Sequence, residues 1–439
     1  MAVNILTDIA RSVGLSTVMR VAGLATRLLP IPQPTMMVGP GASVRLGQAL
    51  NDFGHRKILI VTDATISRLG LMLPMTDALT AGGTQFVVFD EIGPDAPIEQ
   101  IEKGVELFKA EGCDAIVAFG GGSVMDAAKV IGLSAANHKS PRQLVGYFKG
   151  LHAPAPIYAV PTTAGTGSEV TVAAVVSDPA AKRKLVIADT RIVPKMAALD
   201  ASLMTGLPND ITAATGMDAL THAIEAFIGH WGTEFTDRMA LTSVSMIYRN
   251  LPTAYAHGHD LVAREKMALA ASYAGQAFTR ANVGYVHAIA HQLGGFYHTP
   301  HGLANAIMLP HVLRFLSPAI TTKLAVLALR ARLGKDSEPE AALAEKFLDS
   351  IDAMNARLGI PRELAALRAK DIPALAGAAC READLNYPVP SYMSQQDCET
   401  VIRNVLPNKA LTRRTIRRPV AGKPAAKRRR AARSTVASL

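Results

Sequence analysis

Ala115-Ile-Val-Ala-Phe119-Gly120-Gly121-Gly122-Ser123-Val124-Met125-Asp126-Ala127-Ala128-Lys129 passes from five apolar residues straight into three glycines and then into a helical pattern. An apolar run this short and this uniform predicts a strand buried on both faces, and the helix over 124–133 covers one of them. The same alternation recurs on either side. Strands are expected over 58–61, 86–89 and 157–160, with a helix over 101–109 and turns at Gly93, Pro94 and Pro97. Continuous apolar strands separated by helices predict a parallel α/β sheet. Segments 172–176 and 185–187, split by Ser177-Asp178-Pro179, read as a hairpin. Beyond Leu207-Pro208 strand signals fade, and helices are expected over 211–229, 235–255 and 262–278. The expected organisation is an N-terminal extension (1–34), an α/β domain (35–207), a helical domain (208–407) and a basic tail (408–439).

The net charge of +10 belongs to that tail: residues 409–433 hold eleven Lys or Arg and no acid, so the rest is within one charge of neutral. A near-neutral body argues against a specific nucleic-acid partner. The tail, through Lys427-Arg-Arg-Arg430, is suited only to weak, salt-sensitive binding of anionic surfaces. Cys113, Cys380 and Cys398 show no CxxC spacing, which fits a reducing, cytoplasmic setting. No run of 18 uncharged apolar residues reads as a membrane span. In the extension, Ile5, Leu6, Ile9, Val13, Val18, Met19, Val21, Leu24 and Leu28 recur at helical spacing among Arg11, Arg20 and Arg27. That pattern fits an amphipathic helix, packed on its own protein, lying on a membrane surface, or serving as a targeting segment.

The turn Gly120-Gly121-Gly122-Ser123 falls where open α/β sheets bind ligands, outside the carboxyl end of a strand. Glycines there admit a phosphate to the backbone amides and to the positive end of the next helix. Pro161-Thr162-Thr163-Ala-Gly165-Thr166-Gly167-Ser168-Glu169 is a second strand-end loop, rich in hydroxyls and glycine. Together the two suit a pyrophosphate and ribose. Asp63, ending another strand, suits a ribose 2′-hydroxyl and repels a 2′-phosphate, so NAD is expected over NADP.

Histidine is concentrated in His287-Ala-Ile-Ala-His291-Gln-Leu-Gly294-Gly295-Phe-Tyr-His298-Thr-Pro300-His301, which holds four of the chain's twelve. His287 and His291 share a helix face, and Gly294-Gly295 with Pro300 are expected to break that helix. Asp218 and His222 form a second one-turn pair, in Gly216-Met-Asp218-Ala-Leu-Thr-His222-Ala-Ile-Glu225. A carboxylate among apolar residues needs a cation. One carboxylate with two or three imidazoles makes a divalent-metal set suited to Fe²⁺ or Zn²⁺. Phe278, Tyr285 and Phe296 suggest an apolar substrate pocket.

Four blocks, Gly120 to Lys129, Pro161 to Thr171, Gly216 to Glu225 and His287 to His301, resemble in order and spacing the iron-containing (group III) alcohol dehydrogenases. The resemblance spans roughly residues 36–406. It implies a Rossmann-like dinucleotide-binding α/β domain followed by an all-α metal-binding domain, a dehydroquinate synthase-like architecture, in a dimer or larger homo-oligomer. It places the metal ligands on Asp218, His222, His287 and His301. It places His291 beside the nicotinamide and Phe278 at the reactive end of the pocket. Cofactor contacts fall on Asp63, Gly121, Gly122, Ser123, Thr162, Thr163, Thr166, Thr171 and Lys184, with Asp126 in the pyrophosphate-loop block. Ala96-Pro97 stands where the family often has Asn-Pro, and the N-terminal extension and basic tail have no counterpart in a minimal member.

The resemblance implies a metal acting as Lewis acid on a short or medium primary alcohol or its aldehyde, hydride transfer to nicotinamide C4, and proton relay by His291. Competing expectations are a hydroxyacid–oxoacid transhydrogenase that keeps its NAD bound, a metal-dependent hydrolase, and a non-catalytic protein tethered to membrane or nucleic acid.

Overall fold

Alternation along the buried strands divides the first half of the molecule into two cores, one on each sheet face. The computed structural model describes residues 29–407 except residue 182, together with residues 14 and 23. The rest of the N-terminal extension (1–34), for which an amphipathic helix is expected, and the basic tail (408–439) lie outside the described residues. In chain order the α/β portion comprises β1 (Thr35–Val38), α1 (Ala42–Asp52), β2 (Lys57–Val61), α2 (Ala64–Leu69), α3 (Leu73–Ala81), β3 (Gln85–Phe89), α4 (Ile98–Ala110), β4 (Ala115–Gly120) and α5 (Gly122–Asn137). It continues with β5 (Gly146–Tyr147), β6 (Ile157–Pro161), β7 (Ala173–Asp178), β8 (Arg183–Ala188) and β9 (Met196–Leu199). Six of these strands form an all-parallel sheet in the order β1-β9-β6-β4-β2-β3. Leu59, Val61, Ile116 and Ala118 point to the core under α4 and α5. Ile58, Ile60, Val117 and Phe119 point to the opposite core, under α1 and α3. Both faces are covered, as the uniform apolar runs require.

The second sheet is the expected hairpin, β7 antiparallel to β8 from Ala173↔Ala188 to Asp178↔Arg183, with β5 parallel on the other side of β8. In the large sheet Gly120 of β4 pairs with Pro161 of β6. The glycine turn and the threonine-rich loop therefore leave adjacent strands side by side.

The change to all-α structure falls at Leu207-Pro208, but both portions belong to one compact unit that ends at Leu406. The helices are α6 (Asn209–Ile228), α7 (Glu234–Ala256), α8 (Leu261–Ala281), α9 (Tyr285–Tyr297), α10 (His301–Arg330), α11 (Glu340–Arg357), α12 (Ile372–Asn386) and α13 (Gln395–Arg403). By length and composition α10 could cross a bilayer. Its Leu309, Val312, Leu313, Leu316, Leu324 and Leu327 instead fill the helical core, and it kinks at Ile320, just past Pro318.

Gly294-Gly295 do not break the histidine helix. Helix α9 runs through both, since a glycine costs a buried helix only about 1 kcal/mol relative to alanine. The break comes at His298, which adopts φ 54° and donates its N–H to Gly294 O, and at Pro300, which precedes the first residue of α10.

The buried end of α6 is closed from outside. Lys323 of α10 donates to the carbonyls of Phe227 (2.7 Å), Ile228 and Gly229 (3.2 Å each), and its ammonium lies 5.4 Å from the Phe227 ring. Lys323→Met should lower stability by about 1.5–3 kcal/mol, the worth of a charge-assisted hydrogen bond. Chemical denaturation checks this; an unchanged midpoint would show that water caps α6 equally well.

Candidate active site

Helix α6 carries Asp218 and His222 one turn apart, α9 supplies His287, and the first residue of α10 is His301. One donor atom from each of the four lies within 4.8 Å of every other. Asp218 Oδ1 is 3.5 Å from His301 Nε2 and 3.9 Å from His287 Nε2, and Asp218 Oδ2 is 3.9 Å from His222 Nδ1. The close approach depends on Gly302, because a Cβ there would run into the Ala214 carbonyl on α6.

The donor set fits a divalent ion on three observations. Asn305 Nδ2 donates to Asp218 Oδ1 (2.7 Å) and sits 3.2 Å from both His287 Nε2 and His301 Nε2, so three acceptors converge on one point. His287 Nδ1 faces Glu225 Oε2 at 2.6 Å, which places its proton on Nδ1 and leaves Nε2 as a lone pair, the usual arrangement of a metal-bound imidazole. His222 Nδ1 is buried with no hydrogen-bond partner among the described residues. Burial, reinforced by the neighbouring imidazoles, lowers the pKa of His222, pushes His301 down to about 4, and drives His287 well below the ordinary histidine range. Neutral imidazoles are the form a metal requires. One carboxylate and three imidazoles suit Fe²⁺ and Zn²⁺ alike.

His291 lies one turn beyond His287, with its ring stacked on His301 (5.3 Å, 18°). Its Nδ1 is 2.6 Å from Glu382 Oε1 on α12. Tyr387 Oη donates to the same oxygen (2.6 Å) and Gln292 Nε2 to the other (2.7 Å). Phe278 stacks on His222 (4.2 Å, 16°) and lines the cavity. Tyr285 does not: it is wholly buried in the helical core, where its hydroxyl accepts from Met393 N, so it is no part of a substrate pocket. Phe296 lies at the cavity surface, half-exposed.

Glu225, Asn305 and Glu382 are site residues that sequence reading missed. Glu225 had a signal, since it follows His222 on the same α6 face and is buried. Burial pushes it up to about 7, against backbone N–H groups of Gly284, Val286 and His287 that pull it down. Glu382, 91 residues from His291, had none.

All ten residues expected at the cofactor line one cavity of about 2350 Å³ together with the four donors, His291 and Phe278. Their polar atoms are not equally available. Asp126 accepts from Ser168 Oγ (2.6 Å) and Val175 N (2.8 Å), and the Thr171 hydroxyl is held by Lys129. These two brace the loop from within the chain. Ser123 Oγ accepts from Asp95 N, and Lys184 pairs with the Asp95 carboxylate. Asp63 Oδ1 caps α2 through Thr65 N and Ile66 N, leaving Oδ2 for a ligand. Thr166 packs against Gly122 where any Cβ would stand, so Gly121 and Gly122 hold open the N-terminal amides of α5 for a phosphate. Ala96, at φ 48°, is fully buried away from the cavity.

The sequence and the fold recur in known proteins. A sequence model for iron-containing alcohol dehydrogenase matches residues 33–201, and one for the C-terminal part of the Fe-containing alcohol dehydrogenase family matches 212–406. The NAD-dependent methanol dehydrogenase of Bacillus methanolicus is 38% identical over 375 residues, 85% of this chain and 98% of that protein. The 1,3-propanediol dehydrogenase of Citrobacter freundii is 40% identical over 350 residues, 79% of this chain and 90% of its own length. A crystal structure of a 1,3-propanediol oxidoreductase superposes with a TM-score of 0.83 at 37% identity, covering 86% of this chain and all of that one. With both halves matched and the donor set in place, the chain belongs to the iron-containing alcohol dehydrogenase family.

Proposed function

We propose that this enzyme interconverts a short or medium-chain primary alcohol and its aldehyde, using NAD and a ferrous ion. The observation that carries the reading is that four convergent metal donors and two phosphate-suited strand-end loops open into one cavity. A divalent ion held by Asp218, His222, His287 and His301 would supply Lewis acidity at the alcohol oxygen, and the nicotinamide would take the hydride.

The chain's own residues do the rest. Glu382 holds His291 by Nδ1, which leaves Nε2 for the proton the hydroxyl gives up. Tyr387 and Gln292 fix Glu382 in turn. Phe278 walls off the donor cluster and offers an apolar surface to the alkyl part of the alcohol. The cations bordering this end are engaged, Lys184 by Asp95 and Arg280 by Ile31 O and the Phe235 ring. That favours a neutral alcohol over a hydroxyacid.

Homo-oligomerisation and a cytoplasmic setting belong to the same proposal. Edge strand β1 pairs with no strand on its outer side among the described residues, which offers a second copy a place to add. Cys113, Cys380 and Cys398 are buried thiols, as a reducing compartment allows.

The test is a panel of alcohols and aldehydes with NAD(H) and NADP(H), before and after metal removal. Alcohol-dependent NADH formation should vanish with the metal and return with Fe²⁺. Turnover that survives metal removal would sink the reading; NADH seen only with an added oxoacid acceptor would make the enzyme a transhydrogenase. In the same assay Asp63→Ser should cut the preference for NAD over NADP at least about tenfold, about 1.4 kcal/mol, by removing a carboxylate that repels a 2′-phosphate.

A further inference from the structure

The family match begins at residue 33, yet residues before it take part in the catalytic cavity. Leu29 and Ile31 are among its lining residues, with Trp231, Phe278 and Val283. The segment is tied down at the substrate end. Arg280 Nη2 donates to Ile31 O (3.0 Å), and Arg280 stands two residues past Phe278, whose ring stacks on the metal-donor candidate His222. A second contact lies further up the chain. Gly23 is buried, and a Cβ placed on it would come within 2.6 Å of the Trp231 indole, so its backbone lies directly on that ring.

We infer that Leu29 and Ile31, with Trp231, form a specificity-determining wall of the alcohol pocket, giving the tail of the substrate an apolar surface drawn partly from residues that precede the family match. Leu29 and Ile31 supply aliphatic groups and Trp231 a flat face, and the two aliphatic side chains offer no hydrogen bond that a polyol would need. Longer alkyl chains therefore gain affinity by burial against this wall, and the hydroxyl end stays with the donor cluster and His291. This rests on the alcohol dehydrogenase reading, but the wall has a readout independent of turnover. Trp231 is the sole tryptophan of the chain, so its emission reports on the surroundings of that one ring.

Two full-length variants test it. Gly23→Val puts a side chain where the indole lies and should separate Trp231 from residue 23. Trp231 emission should shift to the red and acrylamide quenching should rise about twofold, with metal content and the KM for NAD unchanged. Leu29→Ser combined with Ile31→Ser keeps the backbone anchor but removes the apolar surface. Across a series from ethanol to hexanol, the unmodified enzyme should lower KM about two- to fourfold per methylene, as burial of a CH₂ allows. The double variant should flatten that gradient and leave ethanol little changed. Unaltered Trp231 quenching in Gly23→Val, or an unaltered KM gradient in the double variant, overturns the assignment. If no alcohol is turned over at all, the functional reading fails while the fluorescence result still decides whether the segment packs on Trp231.

Discussion

Replacing His287 by alanine should remove most of the bound metal and lower kcat/KM more than about 100-fold. The magnitude follows from position. Losing an outer partner of a metal ligand typically costs 10–100-fold, and losing the ligand itself costs more. His287 is buried, its Nε2 faces Asp218 Oδ1, and its Nδ1 is held by Glu225 at 2.6 Å. Truncation deletes one donor of four and leaves Glu225 buried beside an empty space, without the imidazole that faced its carboxylate. Glu225→Gln should fall in the 10–100-fold range, because it keeps a hydrogen-bonding group at Nδ1 but loses the charge. His298→Asn is the control. His298 is exposed, lies in the same histidine-rich stretch and adopts φ 54°, which asparagine tolerates, so metal content and turnover should hold. Metal analysis of protein purified without oxygen, with NADH formation on the same samples, separates these cases. Normal metal content and full activity in His287→Ala would show that the ion does not sit among these four residues.

The ease with which these residues could be picked from sequence differs, for physical reasons. Strand β4 and its glycine turn were legible because the short apolar run recurs in alternation with helical segments, as a sheet covered on both faces requires, and because a second glycine- and hydroxyl-rich loop leaves another strand end. Asp218 and His222 were legible as a pair because helical spacing brings residues four apart together. Spacing alone puts His287 and His291 on one helix face and does not say which of them is a ligand. What separates them is tertiary: Nδ1 of one meets Glu225 on α6, Nδ1 of the other meets Glu382 on α12, and only the first presents Nε2 to Asp218. No local pattern carries that distinction. The glycine pair in α9 misled for a related reason, since glycine permits a break without requiring one, and the left-handed turn came four residues later at His298. Tyr285 misled because an aromatic near a site is as readily core as pocket.

Lys129→Ala should destabilise the fold by about 3–5 kcal/mol, the range for removing one partner from a buried charged network. Lys129 is completely buried on α5, where its ammonium donates to Ser168 Oγ (2.8 Å), Thr171 Oγ1 (2.9 Å), Thr171 O (3.0 Å) and Ala173 O (2.9 Å). Two buried carboxylates share its field. Asp126 is bonded to Ser168 and Val175, and Glu169 to Ser272 of α8 in the helical half, so one cation ties α5, the threonine-rich loop and α8 together. Burial raises the pKa of both acids and lowers that of Lys129 to about 8, while Asp126 and Glu169 pull the lysine back up. Alanine removes a cation that stabilises both carboxylates and strands several acceptors without a donor. Lys129→Met refills the space of the stem without the charge, so it should lose less than alanine but still stand below the unmodified protein. The pH dependence has a definite sign. Folded, Lys129 gives up its proton near pH 8; unfolded, near its ordinary 10.5. Between those values the unfolded chain binds more protons, so this group's contribution to stability rises with pH across that window, and its cost is fully present below it. Denaturation at pH 7 and pH 9.5 should therefore show a smaller gain, or a larger loss, on going alkaline in Lys129→Met than in the unmodified protein. Equal midpoints for all three proteins at pH 7 would mean that the network contributes no net stability, and equal pH responses would mean that Lys129 does not titrate there.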